Sequence, residues 1–427
     1  MNSAIKANEL NRRQFMEGTA KAFLGVGALG LTNHAGAALE LPPRIDAAKH
    51  IIYLYMDGGM THLDTFDTKP KHKNQGPTKT IDTNVDHIKI SGYLPSLAAQ
   101  ADKLAIVNSM TSTAGAHAQG NYLMHTSYDA RATIRHPGLG AWALKYKGRI
   151  NPNLPGSVFI GGNSRINGGG GFFEPEFEPL AIKNPSSGLK NSKLRGMDQK
   201  QLDEDLELAS QFDAEFHQRY NVKQIRAYTQ MYDDAVRIMQ SKDLQAFDLR
   251  EEDKMTRARY GADPFGQGCL LARRLIEHDV RAVEVSYQGW DMHNSVFITA
   301  PEKCAILDQA MGALLADLER IGKLDDTVVV LTTEFGRTPN INENAGRDHH
   351  PKAFSSVLAG GGIKGGTVYG KTDESGENVI ENPVKIPDFN ATIAYAMGLP
   401  IDQVLFSPSM RPFTVAHKGK PVLDLFA

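Results

Sequence analysis

Short apolar, β-rich runs separated by stretches of helical spacing constrain this chain more than anything else in it. The runs occupy residues 51–56, 104–107, 158–160, 282–287, 328–332 and 355–358. Strands that alternate with helices have one common solution, a parallel sheet whose faces are covered by those helices. Between residues 303 and 321, Ile306, Leu307, Ala310, Met311, Leu314, Leu315 and Leu318 keep helical spacing, while Asp317, Glu319 and Arg320 are expected to turn towards water. The pattern predicts an α/β fold with a mostly parallel central sheet covered by helices on both faces. A single domain is expected over residues 38–427, with a helical and loop insertion or cap at about 161–260. There the chain turns Gly- and Asn-rich (161–171), then Pro-rich (174–179), then charged and helical (about 198–254). The glycine run lacks the Gly-Lys-Ser/Thr ending of a P-loop and the spacing of a dinucleotide fingerprint, so it reads as a loop.

Charge excludes some partners. The 47 Lys and Arg nearly cancel the 49 Asp and Glu, so no global field draws in nucleic acid or an anionic membrane. No stretch supplies the roughly 18 to 20 apolar residues of a spanning helix, so no transmembrane segment is expected and membrane contact would be peripheral. Cys269 and Cys304 each lie in a helix-like amphipathic stretch and read as buried thiols.

The N-terminus carries an address. Arg12-Arg13 precede Phe15, a weakly apolar, Gly-rich run follows, and Ala35-Gly36-Ala37 supplies the small residues of a cleavage site. An ordinary first helix fits poorly, because Gly25, Gly27 and Gly30 would each weaken it by about 1 kcal/mol. Residues 1–37 are therefore expected to be a twin-arginine signal peptide. The mature chain would be periplasmic or extracellular, delivered by the Tat machinery, which carries folded and often cofactor-loaded cargo.

In open parallel sheets ligands bind beyond the carboxyl ends of the strands, and that rule sorts the polar residues. Asp57 follows the first run, Glu334 follows the fifth, and Asp291 lies just past the fourth. His293 accompanies Asp291, while Arg347, Asp348, His349 and His350 precede the last run. Carboxylates with imidazoles suit Zn, Mn or Fe; Ca, which prefers oxygen ligands, fits less well. Singly, each residue has an ordinary alternative as a helix cap, a surface ion pair or a satisfied polar group. Together they predict a divalent metal site of Asp57, Asp291, His293, Glu334, His349 and His350, with Asp64 and Asp348 as a second tier. Arg337 and Arg347 are candidates to hold a phosphate or sulfate, or to form salt bridges.

The motifs Tyr53-Leu54-Tyr55-Met56-Asp57-Gly58-Gly59, Gly289-Trp290-Asp291-Met292-His293, Glu334-Phe335-Gly336-Arg337-Thr338-Pro339 and Gly346-Arg347-Asp348-His349-His350 resemble an exported bacterial family, domain of unknown function 1501. That family is similar to the alkaline phosphatase and sulfatase superfamily. The resemblance implies two metal ions and a small anionic ester as substrate. Asp57 and Glu334 would serve one ion; Asp291, His293 and His349 or His350 would serve the other. Two departures stand out. Phe335 replaces a histidine, and His117 occupies the place of the nucleophile, with Ser112 and Thr113 one turn earlier. The expected function is a metal-dependent hydrolase of phosphate or sulfate esters, in which His117 ligates metal and activated water replaces a side-chain nucleophile. The alternative is an exported metal-binding or scaffold protein without turnover. Replacing Arg12 and Arg13 with Lys should leave the precursor in the cytoplasm; wild-type amounts of the variant in a periplasmic fraction would refute the address.

Overall fold

A computed structural model describes residues 48–161, 169–189, 200–202, 204–208, 211 and 234–427. The expected signal peptide and much of the expected insertion lie outside the described residues. The elements used below are β1 (His50–Asp57), β2 (Leu104–Thr111), α1 (His117–Thr126), α2 (Leu139–Lys147), β3 (Ser157–Ile160), β4 (Leu180–Ile182), α3 (Pro264–Glu277), β5 (Ala282–Gln288), α4 (Val296–Arg320), β6 (Thr327–Thr332), β7 (Gly336–Arg337), β8 (His349–His350), β9 (Phe354–Ala359), β10 (Thr367–Tyr369), β11 (Val384–Lys385) and α5 (Ile386–Ala396).

All six expected runs are strands of one sheet, ordered β10-β2-β9-β6-β1-β5-β3-β4, with β11 beside β2. Every pairing among them is parallel except those of β9, which runs against both β2 and β6. At the centre, β1 sits between β5 and β6, with Asp57 opposite Gln288 and Tyr55 opposite Thr332. The carboxyl ends of β1, β5 and β6 therefore open on the same edge. Because β9 is reversed, its amino end lies at that edge too, and the residues leading into it arrive beside the other three.

Successive strand residues point to opposite faces. Ile52, Leu54 and Met56 join the core formed with α3 and α4, including Leu270, Leu271, Leu307 and Leu314. Ile51 and Tyr53 instead face α1, α2 and α5, next to Met124, Leu139 and Asn390. Both faces are covered, as expected. Both thiols are buried and unpaired, and burial pushes their pKa values up. Asp317 departs from expectation: it is buried rather than turned to water, and it accepts from Tyr260 Oη and Arg259 Nη2 at 3.0 Å each. The flanking helix Lys254–Arg259 brings these donors over α4, which periodicity within α4 alone does not reveal. Among the described residues no helix is long and apolar enough to cross a membrane.

The β1 edge depends on one glycine. Gly58 has φ +120°, and a Cβ there would sit 2.5 Å from Asp291 N and 2.9 Å from the Trp290 backbone. The chain past β5 can approach β1 because that atom is missing. Gly58→Ala should destabilise the protein by roughly 2–5 kcal/mol through strain and overpacking. Chemical denaturation would measure the loss, and a change below about 1 kcal/mol would contradict this account.

Candidate metal centre

Three imidazoles and one carboxylate converge at the open edge. His117, the first residue of α1, follows Ala116 in extended conformation. Asp291 and His293 lie on the loop after β5, and His349 lies on β8, where pairing with Arg337 sets its direction. His117 Nε2, His293 Nε2 and His349 Nε2 stand 3.3, 3.1 and 3.4 Å from Asp291 Oδ1. His293 Nε2 and His349 Nε2 are themselves 3.0 Å apart.

What lies behind each ring fixes its tautomer. His117 Nδ1 is 2.7 Å from Glu334 Oε1, His293 Nδ1 is 2.7 Å from Asp348 Oδ1, and His349 Nδ1 is 2.9 Å from the Gly115 carbonyl. Carbonyls and carboxylates only accept, so each Nδ1 donates and each neutral ring turns an Nε2 lone pair inward. Three lone pairs then point at one carboxylate oxygen from 3.1 to 3.4 Å, an arrangement that a cation resolves. His117 Nε2 is buried without a hydrogen-bond partner. His117, Asp291 and His349 offer ligand atoms within 4.8 Å of one another. The donor set suits a transition ion and is too rich in nitrogen for Ca²⁺.

Electrostatics agree with the geometry. Burial would raise the Asp291 carboxyl, but its bond to Arg337 and the nearby His117 and His293 hold it at about 2. The bond to Glu334 raises His117, and the bond to His293 lowers Asp348. Asp57 is raised, first by burial and then by Glu334. Its half-buried carboxylate makes no hydrogen bond among the described residues.

Several expected ligands stand elsewhere. Glu334 is fully buried and both of its oxygens are engaged: Oε1 accepts from Gly58 N at 2.9 Å and from His117, and Oε2 from Tyr55 Oη at 3.0 Å. It orients His117 and does not face the cluster. His350, on the opposite face of β8 from His349, bonds the Glu377 carbonyl at 2.7 Å. Arg337 and Arg347 are not presented to an anion. Both are fully buried, Arg337 against the Gly58, Gly59 and Arg347 carbonyls and Asp291, and Arg347 against Asp64 and the Asn74, Thr338 and Pro339 carbonyls. Asp64 is thus an ion-pair partner, not an outer ligand; it also accepts from Thr61 and Thr78. Thr113 is exposed on the loop before α1, outside the cluster. Phe335 packs between His117 and His349, with ring centroids at 5.1 and 4.7 Å, and offers the cluster carbon only.

Sequence reading missed the Gly115 carbonyl and Tyr55. Tyr55 was accessible in principle, since it shares a strand face with Asp57. It also missed the pair of His125 Nε2 and Glu284 Oε1, 3.0 Å apart beneath the site. A charged residue in the middle of the apolar run of β5 is the signal for that pair.

The fold and this cluster define an α/β protein with a histidine–carboxylate centre at its strand ends. The chain belongs to the family described as protein of unknown function DUF1501, which it matches over residues 48–426. No curated protein matches it in sequence. Among solved structures it is similar to the lipoteichoic acid synthase LtaP of Listeria monocytogenes (10% identity, 88% of this chain and 75% of that one, TM-score 0.41). It is also similar to a sulfatase of Pseudoalteromonas sp. (10% identity, 88% and 73%, TM-score 0.37). A third is the alkaline phosphatase of the Antarctic bacterium TAB5 (9% identity, 83% and 99%, TM-score 0.33).

Glu334→Gln should lower metal affinity by about 10–100-fold, although Glu334 does not face the cluster, because a group that fixes a ligand's tautomer has that leverage. Metal titration of wild type and variant is the check, with equal affinities the contrary result.

Proposed function

We propose that this chain is an exported hydrolase of phosphate or sulfate esters that holds one divalent transition ion through His117, Asp291, His293 and His349. The observation that carries the reading is the convergence of three oriented Nε2 atoms on the Asp291 carboxylate. When bound, the ion would supply a Lewis acid for the ester. Among the described residues no second ligand set is found, since Glu334 is engaged and Phe335 is carbon.

The chain's own groups have separable roles. The first turn of α1 directs backbone N–H groups and its dipole towards the site, which favours an anionic substrate. Asp57, whose carboxyl is raised by burial and by Glu334, holds a proton more readily than an exposed carboxylate and is suited to exchange one at its carboxylate oxygen. Phe335 excludes water on one side of His117. Thr113 lies on the loop before α1 and outside the cluster, which favours water over a side chain as the attacking group. A second reading, metal binding without turnover, is favoured by the burial of Arg337 and Arg347, which leaves neither guanidinium for the ester.

Protein purified from the periplasm should carry about one equivalent of Zn, Mn or Fe and turn over an aryl phosphate or aryl sulfate. Asp291→Asn with His293→Ala should lose both metal and turnover, and Thr113→Ala should lose neither. Metal retained in the double variant would refute the centre. Turnover lost only in Thr113→Ala would restore a side-chain nucleophile, and full metal with no turnover on any ester would select the second reading.

A further inference from the structure

The near-cancellation of charge over the whole chain conceals a segregation. Residues 130–173 contain no Asp or Glu, and neither do residues 403–423. These acid-free segments are far apart in sequence and meet in the fold. Arg411 Nη1 donates to Thr133 Oγ1 at 3.2 Å. The Phe413 ring lies 4.9 Å from His136, 5.2 Å from Phe172 and 5.3 Å from Tyr128. Arg131, Arg135, Arg411, Lys418 and Lys420 are all exposed there, and among the described residues none of their charged groups is in an ion pair, although the Lys420 backbone N–H donates to Asp388 Oδ1 at 2.8 Å. Asp129 and Glu174 bound the first segment, and Asp402 and Asp424 the second. Two histidines of these segments sense this field: burial lowers His136 to about 4, with Arg131 adding to the shift. His417 is also lowered by burial, with Lys418 and Arg131 opposing the pull of Asp129.

A short hairpin, Leu405–Phe406 paired with Pro412–Phe413, stands on this basic face. Its loop is locked by Ser407, whose N–H donates to the Arg411 carbonyl at 2.9 Å and whose carbonyl accepts from Met410 N at 2.8 Å. Met410 is held at φ +60°, a conformation that non-glycine residues avoid. It projects into solvent with 72% of its surface exposed, beside Phe406 at 58% and Val404 at 44%. Two large side chains and a valine are thus presented on a hydrogen-bonded loop that carries Arg411, whose guanidinium reaches Thr133 between Arg131 and Arg135 in the chain.

We infer that this face docks on an anionic lipid bilayer, with Phe406 and Met410 inserted at the headgroup boundary and Arg131, Arg135, Arg411, Lys418 and Lys420 among lipid phosphates. Charge selects the sign of the partner, and the apolar tip selects its phase, since a soluble polyanion offers nothing apolar for Phe406 and Met410. The surface shares no residue with the metal centre. The inference does not depend on what reaction, if any, the centre performs.

The test is co-sedimentation of the purified chain with vesicles of phosphatidylcholine alone and of phosphatidylcholine mixed with phosphatidylglycerol. Binding should require the anionic lipid and weaken with salt. Arg131→Glu with Arg135→Glu should reduce it by at least about 25-fold, at roughly fivefold per basic group. Phe406→Ser with Met410→Asn should reduce it by roughly tenfold or more. Both pairs are exposed, so thermal midpoints and metal content should stay at wild-type values. Absence of binding to the mixed vesicles would overturn the inference, as would binding unaffected by either pair of substitutions. Capture on immobilised dextran sulfate without vesicle binding would overturn it in favour of a soluble polyanion. A dimer that dissociates on Phe406→Ser with Met410→Asn, again without vesicle binding, would overturn it in favour of self-association.

Discussion

The buried carboxylate of Glu334 ties the open edge of this protein together. It sits just past β6, accepts from the backbone that leaves β1 and from the Tyr55 hydroxyl on β1, and holds the first ring of α1. Two strands and a helix thus meet at a fully desolvated charge, which is tolerated only where its lone pairs are filled. Removing one donor would leave a fully buried acceptor uncompensated, so the three elements are held in register more stringently than packing alone requires. The geometry of His117 follows from that requirement.

Around this point the ligand loops are fastened by arginines that never reach solvent. Arg337 closes the turn after β1 onto Asp291, and Arg347 bonds the carbonyls of Asn74, Thr338 and Pro339 while pairing with Asp64. A planar guanidinium has enough donors to gather several carbonyls at once, which no neutral side chain does. The same loops carry Asp291, His293, Asp348 and His349. Rigidity at the centre therefore comes from positive charge held behind it, while its inner surface is lined with lone pairs.

Much of the fold was legible because its cause is local. Runs such as 51–56 and 328–332 are apolar on both faces, and only a covered sheet accommodates them. The strand-end rule was equally informative for Asp291, His293 and His349, whose place depends on topology alone. It failed for Glu334 and His350, which also sit at strand ends, because the rule gives position and not the direction of a side chain. One residue of strand separates His349, facing the cluster, from His350, facing the Glu377 carbonyl. Of the two readings open for Arg337 and Arg347, the ion pair is the one found and the anion clamp is not, for a related reason. A sequence shows the guanidinium but not the carbonyls that surround it, and those belong to segments as distant as Gly58 and Asn74.

The position of β1 in the sheet also bears on how the chain is made. It is the first described strand to emerge in synthesis, yet its two neighbours are β5 and β6, more than half a chain away. At ribosomal speeds of about 5–20 residues per second, the wait before β1 can pair is on the order of ten to fifty seconds. During that interval an apolar strand with two open edges is available to any other extended segment, and pairing of such high contact order is slow even once the chain is complete. This topology leaves β1 without its sheet neighbours until residue 332 has left the ribosome.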